Sequence, residues 1–482
     1  MTGCDVAPAS RGSRSFALEL AVVALLLAPG QEPAPAAAPS LADAFGRIYS
    51  EALAHPQAYS MLQELCTAAP HRLSGSTGAE QAVAWAQRQM ESLGLESVRL
   101  EECTVPRWER GRVASLAVVA PEEAAQTFLP ILALGGSVGT AREGVEGELL
   151  IVRSFEELAQ QGDAARGKIV LFDRPMDPRE LDPFEAYGGA VDQRGRGAVE
   201  AARHGAVAAI VRSMTLRLDD VPHTGSMRYE EGLARVPAAA VSTAGAERLA
   251  ALARAGKKVR LSLRLDCADR GEVPSHNVVG EIRGASRPEE IVLVGAHLDA
   301  WDVGQGAHDD GAGCVHALEA LRILRAVGLR PARTIRAVLF MNEENGLRGA
   351  RAYREAHAAE IPRHVLAIES DRGGFVPRGF TADAQGPALA ALREIADFLE
   401  PAGASTLRPG DGGADISVLR REGVLVLELL TDPTRYFDLH HTSRDTLDSV
   451  HPRELELGAA ALAAMAYGAA EAVDRLPATG KR

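Results

Sequence analysis

The segment IVLVGAHLDAWDVGQGAHDDGAG, residues 291–313, decides the fold of this chain. Its first four residues are aliphatic, which predicts a buried strand that ends near His297 and Asp299. These two residues are two positions apart, so their side chains share one face of a strand. The paired carboxylates Asp309 and Asp310 follow, and apolar residues then recur at helical spacing. The segment is therefore predicted to form a strand, a loop rich in metal-ligand side chains, and a helix.

Strand-like and helical patterns alternate beyond residue 275. The predicted strands are 277–281, 291–294, 335–340, 365–368 and 424–427. The predicted helices are 314–327, 347–357, 388–399 and 457–472. This alternation is typical of an α/β fold with a doubly wound, mostly parallel sheet. Ligands of such sheets bind beyond the carboxyl ends of the strands.

Imidazoles and carboxylates follow the four central predicted strands. In strand order they are His297 and Asp299, then Glu343 and Glu344, then Glu369 and Asp371, and lastly His440, His441 and Asp445. Each one alone is more simply a helix cap or a solvated turn. Together, so many carboxylates in one crevice would repel each other unless cations were bound. Imidazole and carboxylate ligands without a thiolate favour hydrolytic zinc.

Four segments carry a resemblance to a known family. They are HLDAWDVGQGAHDDGAG (297–313), FMNEENGLRGA (340–350), AIESDRGG (367–374) and YFDLHHTSRDT (436–446). They resemble the co-catalytic zinc peptidases, a family that includes bacterial aminopeptidases. The pieces WDVGQG and ESDRGG indicate its carboxypeptidase Q-like branch. The resemblance extends over nearly the whole chain after the first forty residues.

The resemblance implies two Zn²⁺ ions as cofactors. The ligands implied by matching positions are His297 and Asp371 for one ion, Glu344 and His441 for the other, and Asp309 as the bridge. Asp310 is expected to support the site rather than bind metal. His440 and His441 are both candidates, and the family pattern of His, then Thr, then Asp three residues further on selects His441.

The resemblance also implies the chemistry. Glu343 would be the general base and Asp299 would orient His297 and fix its tautomer. We expect a di-zinc exopeptidase that hydrolyses dipeptides or short peptides with a metal-activated water. The alternatives are a single-zinc acyl-transfer or cyclase-type enzyme on the same scaffold, and a binding module with a dead site. Arg372, Asp415 and Tyr436 lie near the motifs, where they would contact substrate or serve the structure.

Residues 108–266 differ in pattern from the chain on either side. Short predicted strands and turns dominate there, and GKIVLFDR, GAVEAARHGAVAAIVRS and VPAAAVS resemble the protease-associated domain. The predicted divisions are a signal peptide and Ala/Pro-rich segment (1–40), the N-terminal part of the peptidase domain (41–107), a β-rich protease-associated-like insert (108–266) and the zinc-peptidase catalytic domain (267–482). Residues 135–139 match the GxSxG elbow of serine hydrolases, but no helical pattern follows, so Ser137 is not expected to be a nucleophile.

The net charge and composition of the chain limit the classes of partner that it is expected to bind. The chain has 482 residues and a formal charge of -13 without a basic run, so nucleic acid is not an expected partner and a peptide substrate is. Arg11 and Arg14 precede an apolar stretch at 16–28 and then Ala- and Pro-rich residues, an order that is typical of a cleaved secretory signal. The stretch is too short for a comfortable membrane span, and Glu19 within it is the main objection to a signal. The alternatives are an uncleaved anchor and an artefactual upstream start. We expect a secreted or periplasmic protein, and the resemblance implies a possible homodimer.

Two cysteines flank the predicted insert. Cys103 and Cys267 stand just outside it, so a disulfide between its two ends is one hypothesis. Two unpaired buried thiols are the alternative. No CxxC spacing is present, and a thiolate zinc module is therefore not expected.

Overall fold

The structure, a computed structural model, describes residues 1–3 and 39–472. Contacts divide the chain into two units, Met1–Ser40 and Leu41–Arg482. Every helix and strand given below belongs to the second unit, and the predicted signal sequence lies outside the described residues. Within the described residues, no helix has the length and apolar character needed to cross a membrane.

The described residues form sixteen strands and thirteen α-helices. The strands are β1 (Glu96–Glu109), β2 (Ala114–Ala120), β3 (Thr127–Leu129), β4 (Ile131–Ala133), β5 (Val145–Val152), β6 (Ile169–Phe172), β7 (Ala208–Arg212), β8 (Ala238–Val241), β9 (Arg260–Leu265), β10 (Ala268–Ile282), β11 (Arg287–His297), β12 (Arg333–Phe340), β13 (His364–Glu369), β14 (Pro377–Ala382), β15 (Thr406–Pro409) and β16 (Val426–Thr431). The helices are α1 (Leu41–Ala54), α2 (Ala58–Ala68), α3 (Thr77–Ser92), α4 (Phe155–Gln161), α5 (Pro183–Gly188), α6 (Asp192–Arg203), α7 (Thr243–Arg254), α8 (Ala312–Ala326), α9 (Arg348–Ala356), α10 (Gly386–Asp397), α11 (Ser417–Arg420), α12 (Tyr436–Leu439) and α13 (Pro452–Glu471).

The first sheet has the order β1-β10-β12-β11-β13-β16-β14-β15. Its four central strands, β12, β11, β13 and β16, are parallel. On one side β10 and β1 add antiparallel ladders, and on the other β14 runs antiparallel to β16. The α/β prediction is confirmed, and the parallel arrangement holds at the centre of what is a mixed sheet.

Helices cover both faces of this sheet, which is why its central strands are apolar on both sides. Val292 and Val294 of β11 belong to the core that includes α8 and α13. Leu293, between them, faces the opposite core with residues of α9 and α11. The two helical layers leave the carboxyl ends of the parallel strands at one edge, and the loops at that edge carry the predicted site.

The second sheet lies entirely within residues 114–265 and has the order β3-β2-β9-β5-β6-β7-β8-β4. Strands β5, β6, β7 and β8 are parallel, and the other pairings are antiparallel. Segments that follow strands of the first sheet contribute side chains to the cores on both faces of the second sheet. Trp301 belongs to the core on one face, and Phe375, Tyr436 and Phe437 belong to the core on the other. These segments of the first-sheet region therefore pack against the second sheet.

The disulfide hypothesis is wrong. Cys103 is opposite Ser275 in the β1–β10 ladder, whereas Cys267 precedes Ala268, which is opposite Glu109. A strand rises about 3.3 Å per residue, so the two thiols are separated by roughly 20 Å along the ladder, too far for a disulfide. Both are free and buried in the described part of the chain, as the alternative held.

Candidate metal centre

The loops that follow the four parallel strands meet in one place. His297 is the last residue of β11, and Asp371 follows β13 by two residues. Glu344 lies in the loop after β12, and His441 lies in the loop that leaves β16 through α12. Asp309 sits in the turn Ala307–Gly311 that leads into α8. These are the positions at which a doubly wound sheet binds ligands.

The two carboxylate oxygens of Asp309 face different groups of side chains. Oδ1 is 3.3 Å from His297 Nε2, which is also 3.4 Å from Asp371 Oδ1. Oδ2 is 3.3 Å from His441 Nε2, which is 3.0 Å from Glu344 Oε2. We call His297 with Asp371 the first ligand group and Glu344 with His441 the second ligand group. Asp309 stands between them with one oxygen toward each.

These separations fit zinc. Two ligand atoms that are each about 2.0–2.1 Å from one tetrahedral ion lie about 3.3 Å apart. Asp309 Oδ2 and Asp371 Oδ1 are buried and find no hydrogen-bond partner within the described chain. Because a buried carboxylate oxygen without a partner is costly, both oxygens are oriented as cation ligands would be. The residues therefore fit a pair of metal ions.

Main-chain carbonyls orient both histidines. Nδ1 of His297 is 2.9 Å from the carbonyl oxygen of Asp299, and Nδ1 of His441 is 3.3 Å from that of Thr224. A carbonyl only accepts, so each Nδ1 carries the proton and donates it. Each Nε2 then presents its lone pair to the carboxylates, which is the tautomer a metal-binding imidazole requires.

The Asp299 side chain has a different task from its carbonyl. Its carboxylate lies 3.9 Å from His297 Nδ1, beyond hydrogen-bond range. Oδ1 instead accepts the main-chain N–H groups of Asn342 at 2.7 Å and Glu343 at 3.0 Å. Asp299 thus orients His297 through its main chain and fixes the Glu343 segment through its side chain.

Two further buried carboxylates hold the backbone of the ligand loops. Asp310 accepts the N–H groups of His297 at 3.0 Å and Gly313 at 2.9 Å. Asp445 accepts those of His308 at 2.7 Å and Asp309 at 3.1 Å. Burial, with the charge of Asp309 adding to it, raises the pKa of Asp445 to about 7.

His440 is close to the centre but farther than His441. Its Nε2 is 3.8 Å from Asp309 Oδ2, and its ring stacks on His441 with centroids 3.5 Å apart. Asp309, His440 and His441 form one candidate metal-holding group, and His297, Asp310 and Asp371 form another. The shorter contact to Asp309 favours His441 as the ligand.

The charges of the site are strongly coupled. Burial raises the pKa of Glu343 well above its usual range, and the nearby Asp371 and Glu344 carboxylates add to the rise. Burial likewise raises the pKa of Glu344 to about 7, with Asp309 adding repulsion. Burial alone would lower the pKa of His441, but Glu344 and Asp309 raise it to about 9. Carboxylates this close together need cations beside them.

A cleft of about 350 Å³ opens over the centre. The candidate ligands Asp309, Glu344, Asp371 and His441 line it together with Glu343. Its other lining residues come from the loop after β12 (Asn345, Gly346 and Leu347), from α12 and the following His440, and from the second-sheet region, and they include Phe184, Tyr187, Arg194, Met227, Tyr436 and Phe437. Arg194 could not be predicted from the sequence, because it lies in α6 of the second-sheet region and reaches the site only through tertiary packing.

The other residues singled out by sequence have different surroundings. Arg372 pairs with Glu428 at 2.7 Å, and Asp415 is buried with its N–H bound to Glu369. Tyr436 lines the cleft. Ser137 is buried, donates to the Val138 carbonyl and accepts from Ala238 N–H, which is a structural role.

Comparisons with known proteins show the family and the fold of the chain. Residues 277–466 match the model of peptidase family M28. The chain is 36% identical over 424 residues to carboxypeptidase Q of Bos taurus, which covers 88% of this chain and 87% of that protein. A crystal structure of a peptidase M28 precursor from Shewanella amazonensis SB2B has a TM-score of 0.87 at 36% identity, covering 92% of this chain and 99% of that one. A zinc aminopeptidase from Bacillus subtilis shares the fold, with a TM-score of 0.62 at 21% identity over 85% of this chain and 94% of its own.

Proposed function

Because the chain belongs to peptidase family M28 and is a metallopeptidase, we propose that it is a two-zinc exopeptidase of dipeptides or short peptides. The observation that carries the proposal is the position of Asp309, whose two oxygens lie 3.3 Å from the Nε2 atoms of His297 and His441. A single carboxylate between two imidazoles is suited to bridging two ions. The Bacillus subtilis enzyme of the same fold, a zinc aminopeptidase by name, supports zinc as the metal.

Each ligand group would hold one of the two ions, and Asp309 is shared. His297 and Asp371 would hold one, Glu344 and His441 the other, and Asp309 both. When bound, two zinc ions supply Lewis-acid polarisation of a carbonyl and a water whose pKa is lowered toward about 7. The second ligand group, with Glu344 Oε2 and His441 Nε2 3.0 Å apart, does not favour the single-zinc acyl-transfer alternative.

Glu343 is proposed as the general base. It lines the cleft beside the ligands, and its N–H is fixed by the Asp299 carboxylate. Its raised pKa suits a carboxyl group that takes a proton and returns it to a leaving amine. General acid–base catalysis of this kind typically contributes about 10²- to 10⁴-fold.

Arg194 is proposed to bind the free carboxylate of the substrate. It is 8% exposed and lines the cleft, and its Nε has no hydrogen-bond partner in the described chain. Its Nη1 donates to the Thr224 carbonyl at 3.5 Å and lies 3.4 Å from His441 Nδ1, so the buried Nε remains as a donor for a charge-assisted hydrogen bond to a carboxylate. The apolar walls formed by Phe184, Tyr187 and Phe437 suit an apolar side chain. Both features support a short peptide with a free C-terminus.

A substrate panel tests the proposal. The protein is stripped of metal, zinc is added back, and hydrolysis of free, N-blocked and C-amidated forms of one apolar dipeptide is compared. The free dipeptide should be cleaved, and amidation should raise KM. Arg194→Gln should raise KM for the free dipeptide and abolish the difference from the amide. Equal cleavage of all forms, or cleavage without zinc, would contradict the proposal.

The remaining predictions stay proposals. Export is supported by the order of basic, apolar and small residues within 1–40, and a homodimer by the resemblance alone. A protease-associated-like insert at 108–266 is supported by the second sheet, whose strands all fall within that segment. Contacts nevertheless group Leu41–Arg482 as one compact unit.

A further inference from the structure

The two ligand groups are held by different parts of the molecule. In the first group, His297 is fixed by Asp299 and Asp310, which belong to the same strand and loop. In the second group, Glu344 Oε1 accepts the N–H of Trp301 at 3.2 Å. His441 donates to the Thr224 carbonyl, and its own carbonyl accepts the Thr224 N–H at 3.0 Å. Thr224 lies in the loop between β7 and β8, so these hydrogen bonds connect the second-sheet region to the second ligand group.

One arginine joins the two supports of the second ligand group. Arg110 Nε lies 3.0 Å from both carboxylate oxygens of Asp302, the neighbour of Trp301, and Nη2 lies 2.6 Å from Oδ1. Nη1 of the same guanidinium donates to Thr224 Oγ1 at 3.3 Å and to the Ala133 carbonyl. A bidentate pair of this kind has a fixed geometry. Arg110 therefore ties the loop that carries Trp301 to the segment that carries Thr224.

The Trp301 side chain packs in the core on one face of the second sheet. Its side chain is 3% exposed, and a Cβ added at Gly135 would lie 1.9 Å from its Cη2 atom. The Arg110 guanidinium lies 5.0 Å from the ring centroid of Trp108 and 5.9 Å from that of Trp301. We call Gly135 the Trp301 socket. Gly135, which begins the GxSxG-like stretch, and Trp301, which begins WDVGQG, are thus in contact.

We propose that Arg110 and the Trp301 socket position the second ligand group, so that the second sheet sets the affinity of one metal position and leaves the other unchanged. The inference rests on the proposed two-zinc function. Arg110 acts through Asp302 and Thr224, so it is a positioning residue. Partners of this kind typically change metal affinity by about 10- to 100-fold.

The proposal is tested by measuring the zinc affinity of the Arg110→Lys variant. Lysine keeps the charge but loses the fork that joins Asp302 and Thr224. We expect one of the two zinc positions to weaken by about 10- to 100-fold, measured by competition with a chelator and by zinc content. Hydrolysis should recover when free zinc is raised. Arg107→Lys is the matched control, because Arg107 is 49% exposed and pairs with Glu109 at the surface, and both positions should keep wild-type affinity.

A second variant keeps the inference testable on independent grounds. Gly135→Ala fills the Trp301 socket, whereas Gly188→Ala adds a Cβ that meets nothing within 4 Å. Gly135→Ala should weaken the same zinc position as Arg110→Lys, and Gly188→Ala neither. If Gly135→Ala does not fold, Arg110→Lys decides. Two unchanged positions in Arg110→Lys, or equal weakening of both, would overturn the inference alone. A wild-type chain that binds one zinc would instead overturn the proposed function and this inference with it.

Discussion

Glu343 and Glu344 are neighbours with different surroundings. Glu344 is buried with Oε2 at 3.0 Å from His441 Nε2, and its Oε1 accepts from Trp301. Glu343 lines the cleft, and its N–H is bound by Asp299. Because consecutive side chains diverge, one glutamate can bind metal while the next faces substrate. The same substitution at the two positions should therefore have different effects.

Glu343→Gln should keep both zinc ions and lose about 10²- to 10⁴-fold in kcat, since glutamine cannot take up the proton. Glu344→Gln is the matched control and should lose zinc from one position. Zinc content and dipeptide hydrolysis measured on the same samples check both. Full turnover in Glu343→Gln would disprove its role as the base.

At the scale of single residues, sequence predicted which candidate ligands lie close together, but not the groups that support them. His297, Glu344 and Asp371 each follow a predicted strand, so their convergence could be inferred from the fold class alone. Thr224 and Arg110 reach the centre only because the two sheets pack together, and neither lies in a recognisable motif. The carbonyl of Asp299 was also unpredictable, because a residue type shows what its side chain can do and not what its main chain contacts.

Among the elements, α8 and α13 bury a pair of carboxyl groups. Glu319 and Glu456 are both buried, and Glu456 Oε2 accepts the N–H of Ala58 at 3.1 Å. Burial raises the pKa of Glu456 to about 9, and its hydrogen bond with Glu319 adds to the rise. Glu319 is in turn paired with Arg322 at 2.7 Å. Glu456 therefore keeps a proton near neutral pH.

Glu456→Gln should make stability less dependent on pH. A carboxyl group whose pKa is raised by folding gives its full stability below the unfolded pKa, and that stability is lost as pH rises toward about 9. Between these values the unfolding free energy of the wild type should fall by up to about 1.4 kcal/mol per pH unit from this group. Denaturant unfolding from pH 5 to 9 measures the slope, with Glu454→Gln on the same helix as control. An unchanged slope in Glu456→Gln would contradict the assignment.

Element prediction succeeded where the pattern was strong. The strands predicted at 291–294 and 335–340 lie within β11 and β12, and the helix predicted at 314–327 corresponds to α8. Strands β14 (PRGFTA) and β15 (TLRP) were missed, because proline and glycine in such short segments indicate turns. The edge of β16 pairs with β14, and β14 in turn pairs with β15, so both segments form strands.

Across the whole molecule, the centre lies where two sheets meet, and bound metal should stabilise their contact. Zinc removal is therefore expected to lower Tm, because Asp309, Glu344 and Asp371 would lose their cations. Adding zinc to the stripped protein at 100 times its Kd should restore about 2.7 kcal/mol for one site. Calorimetry checks this, and Glu343→Gln should show the same shift as the wild type. An identical Tm with and without zinc would show that the carboxylates bind no structural cation.

Titration of the metal-free protein with Zn²⁺, with bound zinc and hydrolysis of a free dipeptide followed together, measures whether the centre works with two zinc ions. We expect two zinc ions per chain, with full activity only after the second has bound. Glu343→Gln should bind the same two ions and remain inactive. Saturation at one zinc per chain, or full activity before the second zinc binds, would disprove the two-zinc mechanism.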